Sequence, residues 1–337
     1  MRLPKYYAFG WIMMMLAGQT FGQSQQPVTK NATPEAVELL QFIYSISGKK
    51  TLSGQHDYPM SGSYFTSFVR EITGDYPVVY GRDLGFSADD TLDGINYRQR
   101  TVDEAIENHR KGAIITFMWH AVPPTMDEPV TFREGIQSKL TDKQWVELIT
   151  PGTVLNKRWQ EQVDVIASYL KQLQEAKVPV IWRPYHEMNG NWFWWGDRPG
   201  ENGYRRLYRM LFERLVEHHN LRNLIWVFNG NEMRFTVSSY EPFYPGDDVV
   251  DILATDVYKK YKDSDYERLL KLGKGKPIAL GEIGPFPTPK YLKAHPRWVW
   301  FMCWTDFLIR QDRDKVNAIY SLPQVLTRGD LETTQTD

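Results

Sequence analysis

Two glutamates stand at the ends of apolar runs far apart in the chain. Glu187 lies in Trp182-Arg183-Pro184-Tyr185-His186-Glu187-Met188-Asn189-Gly190, and Glu282 in Ile278-Ala279-Leu280-Gly281-Glu282-Ile283-Gly284-Pro285. A glutamate left unpaired in so apolar a run as that of Glu282 is costly, so Glu282 must meet a cation or face a polar cavity. Glycine on both sides of Glu282 permits close approach of backbone or ligand. Two carboxyl groups across one bond are what glycoside hydrolysis requires: one protonates the leaving oxygen, and the other attacks the sugar carbon or activates water. Only a fold that gathers strand ends can bring this pair together.

Other residues near the pair carry polar chemistry. Arg183 and His186 are donors able to orient carboxylates. Trp192, Phe193, Trp194 and Trp195 follow the first glutamate directly. Four rings in a row cannot share one buried face, so the run reads as an aromatic platform for a sugar, with a structural loop plugging the barrel top as the alternative. Asn231-Glu232 reads as a loop pair, and Arg82 and Asp83 as partners of each other. For Asp256, a structural place and a supporting acceptor are equally open. His56 and Asp57 sit on a different strand end from His120 and His186, and neither HExxH nor paired Cys/His spacing occurs, so no metal site is expected.

These side chains need a frame. Short apolar runs begin at Thr51, Pro77, Gly112, Val178, Asn223, Val249, Pro277 and Trp298. Each is brief and ends in polar residues, as a strand buried on both faces does. Amphipathic segments separate them, the clearest over 156–177 and 201–218. Eight strands alternating with helices predict an α/β fold of the (β/α)8 TIM-barrel type, a single catalytic domain over 37–337. A doubly wound sheet is the alternative, and the lack of GxGxxG after a strand weighs against it. In a barrel the polar strand ends converge on one mouth, with Glu187 and Glu282 closing the fourth and seventh strands.

The run WRPYHEMNGNWFWWG is similar to the acid/base motif of glycoside hydrolase family 26, and GEIG resembles its nucleophile motif. The likeness extends through LSGQHD, GRDLGF and ITFMWH, over roughly Leu52 to Asp306. It implies a retaining β-1,4-mannanase on a (β/α)8 barrel. Glu187 matches the general acid/base and Glu282 the nucleophile. By the same resemblance His186 contacts sugar and tunes the nucleophile, and Trp192 lines the leaving-group side. Trp119 and His120 form a glycone-side pair, Tyr258 bonds the nucleophile, and Trp304 floors the cleavage point. Some members carry arginine after that tryptophan where Thr305 stands here, which bears on the outer glycone subsites. The same machinery on β-1,3-1,4-glucan or β-1,3-xylan is the alternative, and a carbohydrate-binding protein without catalysis is a third reading that retention of both glutamates opposes.

Composition bounds the rest. Formal net charge is −1 over 337 residues, which disfavours nucleic acid as a partner and leaves a poly- or oligosaccharide. Arg2 and Lys5, the apolar stretch Ala8 to Ala17, and small Thr20 and Gly22 read as an export signal over residues 1–22. That stretch is too short for stable membrane insertion. A linker over 23–36 would follow. The expected location is periplasmic or secreted, and no cysteine near the signal could carry a lipid. The single cysteine, Cys303, sits in an apolar run and reads as a small buried hydrophobe. Proton transfer and carboxylate attack require no cofactor.

Overall fold

The computed structural model describes residues 25–234 and 237–333. The export signal expected over 1–22 lies outside them. All eight apolar runs form strands. Along the chain these are β1 (Thr51–Leu52), β2 (Gly54–His56), β3 (Val79–Asp83), β4 (Ile114–Trp119), β5 (Val180–Pro184), β6 (Leu224–Asn231), β7 (Ile252–Val257), β8 (Ile278–Ile283), β9 (Trp298–Cys303) and β10 (Val325–Leu326). Neighbours pair in parallel from β2 to β9, and β9 pairs with both β8 and β2, which closes an eight-stranded barrel. The first run is divided at Ser53. Gly54–His56 joins the barrel, while Thr51–Leu52 pairs with β10.

Helices fill the connections: α1 (Pro34–Ile46), α2 (Tyr64–Thr73), α3 (Arg98–Arg110), α4 (Asp142–Ile149), α5 (Val154–Glu175), α6 (Arg206–Phe212), α7 (Asp263–Gly273), α8 (Pro289–Ala294), α9 (Arg313–Tyr320) and α10 (Arg328–Thr333). The segment expected over 156–177 is α5, which starts two residues earlier because Thr153 caps it by accepting from the Asn156 N–H. The segment over 201–218 is less regular. Gly203 is non-helical, and wider π turns at Glu201–Arg205 and Glu213–His218 flank α6.

The barrel interior is layered. Toward the N-terminal ends of the strands, Ile114, Ile181, Ile225, Ile252 and Ala279 pack with Ala36, Leu39, Leu40 and Ile43 of α1. The helix plugs that end, and burying each large aliphatic contributes about 1.5–3 kcal/mol. Helix α1 takes in Pro34, Glu35 and Ala36 from the segment read as linker. Before it, the Val28 N–H donates to Asp251 Oδ1 (2.8 Å) and the Thr33 N–H to the Arg222 carbonyl (2.9 Å). Strand periodicity then carries the same inward face upward from Ile181 to Arg183, from Val227 to Asn229 and from Ala254 to Asp256. The upper layer is therefore polar, and it opens at the mouth.

Candidate active site

Glu187 sits in the turn after β5, where the backbone is strained. Tyr185 and Glu187 adopt left-handed φ values of 48° and 55°, each costing on the order of 1–3 kcal/mol. Surrounding bonds hold the turn. The Glu187 N–H donates to the Asn229 carbonyl (2.8 Å), Trp159 Nε1 donates to the Tyr185 hydroxyl (2.8 Å), and Trp195 Nε1 donates to the His186 carbonyl (2.8 Å). Asn189 clamps the turn to the end of β6: its Nδ2 donates to the Asn231 carbonyl (2.9 Å), and its Oδ1 accepts from the Asn231 N–H (2.7 Å). The carboxyl group is buried. Trp192 Nε1 donates to its Oε2 (2.6 Å) and Asn231 Nδ2 to its Oε1. Burial, and then the Glu282 carboxylate, push this carboxyl up to about 7, against the pull of the two donors.

Glu282 is aimed by an irregularity in β8. Thr255 pairs with Leu280 but Asp256 pairs with Glu282, so β8 holds one extra residue. Such a bulge re-aims a side chain. Gly281 occupies the skipped position, where a Cβ would lie 2.0 Å from Asn229 Oδ1 and 2.6 Å from Asp256 Oδ1; only glycine fits. Both oxygens of Glu282 are held. Arg183 Nη2 donates to Oε1 (3.0 Å), and the Tyr258 hydroxyl donates to Oε2 (2.6 Å). Arg183 also donates to Asn229 Oδ1 (2.9 Å), and its charge lies 3.6 Å from Asp256. Burial first, and Glu282 next, push the Asp256 carboxyl well above its ordinary value, and its Oδ2 accepts from Asn229 Nδ2 (2.7 Å).

Aromatic and imidazole rings ring the mouth. Half-buried Trp304 stacks on His56 (centroids 4.2 Å apart, 23° between planes) and stands edge-on to His120 at 6.1 Å. His120 meets His186 edge-on at 4.7 Å. Burial lowers all three imidazoles. For His56 and His186 it prevails, reinforced by neighbouring positive groups, and both are neutral. For His120 it is overcome by Asp83, bonded to Nδ1, so His120 rises above its ordinary value. The structure thus gathers Glu187, Glu282, His120, His186, Trp192, Tyr258 and Trp304.

Several expectations change. Trp119 is not in the cleft. As the last residue of β4 it points opposite to its neighbour His120, and it is 1% exposed against Tyr185. The aromatic run leaves only Trp192 half-buried; Phe193, Trp194 and Trp195 are at most 3% exposed and pack into the rim. Arg82 and Asp83 are not partners, because successive strand residues face opposite ways. Arg82 pairs with Glu104 of α3 (2.9 Å), and Asp83 with His120. Asn231 is more than a loop residue, since it bonds Glu187. Its even spacing from Asn229 on β6 was the available signal.

Among the described residues, the group with metal-ligand geometry is Asp164, His218 and His219 on the helical surface. Asp164 there already accepts from Arg214 (2.8 and 2.6 Å) and meets His219 Nε2 (2.6 Å). None of these residues belongs to the group around the two glutamates. No helix among the described residues is long and apolar enough to cross a membrane.

The family model described as glycosyl hydrolase family 26 matches residues 28–330. A mannan endo-1,4-beta-mannosidase of Thermothelomyces thermophilus is 35% identical over 308 residues, covering 88% of this chain and 59% of that one. A Bacillus subtilis mannan endo-1,4-beta-mannosidase is 29% identical over 335 residues, covering 90% and 89%. The chain spans about three fifths of the length of the first two curated relatives it matches, 59% and 63%. Among solved structures, GH26A from Muricauda sp. MAR_2010_75 superposes with TM-score 0.86 at 46% identity, covering 90% of this chain and 99% of that one. The Podospora anserina GH26-CBM35 beta-(1,4)-mannanase superposes with TM-score 0.78 at 32% identity, covering 94% and 71%.

Proposed function

The chain belongs to glycosyl hydrolase family 26, and from that premise we propose that it cleaves β-1,4-mannosidic bonds in mannan, galactomannan or glucomannan with retention of configuration. The observation that carries the reading is the opposite environment of the two buried glutamates. Glu187 is held up to about 7, so about half of it is protonated at pH 7 and it serves as general acid. Glu282 is ion-paired to Arg183 and bonded by Tyr258, so it serves as nucleophile.

In the first step a Glu282 oxygen bonds to the anomeric carbon. The glycosidic C–O bond breaks, and the leaving oxygen takes the proton of Glu187. In the second step the Glu187 carboxylate removes a proton from water. The water oxygen bonds to the anomeric carbon, and the bond to Glu282 breaks. Trp304 offers its face beneath the reacting sugar, Trp192 lines the leaving-group side, and His120 and His186 meet the glycone hydroxyls.

The test follows digestion of galactomannan, glucomannan, lichenan and β-1,3-xylan by chromatography, with NMR of the first-formed anomer. Mannan-selective release of β-configured ends is expected. Turnover confined to lichenan or xylan would overturn the substrate, and α-configured ends would overturn the mechanism.

A further inference from the structure

Both oxygens of Glu187 accept from a side chain, and one residue touches both donors. Half-buried Arg234, just past the end of β6, donates from Nη2 to Asn231 Oδ1 (3.3 Å), and its guanidinium lies over the Trp192 ring at 5.7 Å. The Val237 N–H donates to its carbonyl (2.8 Å). We infer that Arg234 is a positioning residue that keeps the Asn231 amide and the Trp192 indole turned toward the acid/base carboxyl. The inference rests on the role proposed for Glu187.

An amide has two ends of opposite polarity. With Arg234 donating to its oxygen, Asn231 can present only its NH2 group to Glu187. Without the guanidinium, the amide is free to turn over and offer its oxygen, which accepts from a protonated carboxyl and repels a carboxylate. The same cation spans less than about 6 Å to the Trp192 face, within cation–π range, and so restrains the ring that donates to the other oxygen. Its removal therefore favours the protonated acid on both sides. The charged and titratable groups facing Glu187 from other elements are Glu282 on β8, His120 beyond β4, Asp256 on β7 and Tyr258 beyond β7. Substitution at 234 leaves all of these in place.

The experiment compares kcat/KM against pH for the wild type, Arg234→Met and Arg234→Lys on a soluble manno-oligosaccharide. The basic limb, where Glu187 loses its proton, should move upward by half a unit to one unit in Arg234→Met. That variant then retains about threefold to tenfold more of its maximal rate on the basic side. Arg234→Lys keeps a cation near Trp192 but loses the Nη2 bond to Asn231, so it should shift less; it also keeps the test open if the methionine variant does not fold. A basic limb that stays in place or moves down in folded variants overturns the inference, even where kcat falls. Failure of the wild type to cleave manno-oligosaccharides would instead overturn the proposed function.

Discussion

Keeping a carboxyl protonated at neutral pH has a consequence for folding that Glu187→Gln exposes. The ordinary value for a glutamate is 4.5, and in the fold Glu187 is held at about 7, by burial first and by Glu282 next. Between these values the native state keeps a proton that the unfolded chain has lost. The native state is therefore favoured at low pH, and that advantage is withdrawn as pH rises through about 7. A separation of roughly 2.5 units corresponds to about 3 kcal/mol at 1.36 kcal/mol per unit. Glutamine does not titrate. The unfolding free energy of Glu187→Gln, relative to wild type, should climb by about 2–3 kcal/mol between pH 5 and pH 8. Its absolute value at pH 5 reflects the altered bonds to Trp192 and Asn231, so the change with pH is the diagnostic quantity. Asp57 and Asp251, raised to about 6 mainly by burial, titrate in the same window in both proteins and cancel in the difference. Urea unfolding at four pH values, with activity recorded alongside, provides the measurement. A difference that is flat across this window, or that falls, would refute the argument from burial and like charge.

Removing the Tyr258 hydroxyl with phenylalanine strips a 2.6 Å bond from Glu282 Oε2 while Arg183 stays on Oε1. A bond to a charged group contributes about 1.5–3 kcal/mol, so kcat/KM should fall roughly tenfold to a hundredfold with folding intact; a loss under about threefold on manno-oligosaccharides would leave that hydroxyl without a catalytic part. Trp304→Ala and Trp195→Ala should separate two uses of one residue type. On the proposed reading the half-buried Trp304 ring meets sugar, so its loss should depress kcat/KM more than the melting temperature. Trp195 is fully buried with its Nε1 on the His186 carbonyl, so its loss should cost about 3–5 kcal/mol of stability. Equal thermal losses in the two variants would show Trp304 to be a core residue.

The barrel was legible because both-face burial writes itself as short unbroken apolar runs, and all eight became strands. The gathering of Glu187, Glu282, Tyr258 and Trp304 at one mouth was legible for the same reason, since parallel strands in a closed sheet put their C-terminal ends together. What escaped were facts of direction. Trp119 and His120 are neighbours in sequence, yet strand pleat sends one into the core and the other to the cleft. Arg82 and Asp83 separate in the same way, toward Glu104 and His120. In the run Trp192 to Trp195, residue type alone could not tell a wet ring from three dry ones, because an indole suits a sugar face and a packed rim equally well.

The bulge at Gly281–Glu282 shows why the two glutamates came to sit in opposite environments. On an unbroken β8 the inward position beside Arg183, Asn229 and Asp256 would belong to residue 281, and a Cβ there would collide with two of their oxygens. Glycine leaves that room to the Arg183 network, and the extra residue swings Glu282 to the place where Arg183 and Tyr258 reach its two oxygens. The Arg183 guanidinium buried in this layer thus gives its Nη2 to Glu282. Glu187, approaching from the strained turn across the mouth, meets the neutral donors Trp192 and Asn231 and the negative charge of Glu282. Neutral donors only partly offset burial, so its proton stays on to neutral pH. On the proposed reading, the division between acid and nucleophile follows from which carboxyl the arginine reaches, and the bulge in β8 sets that.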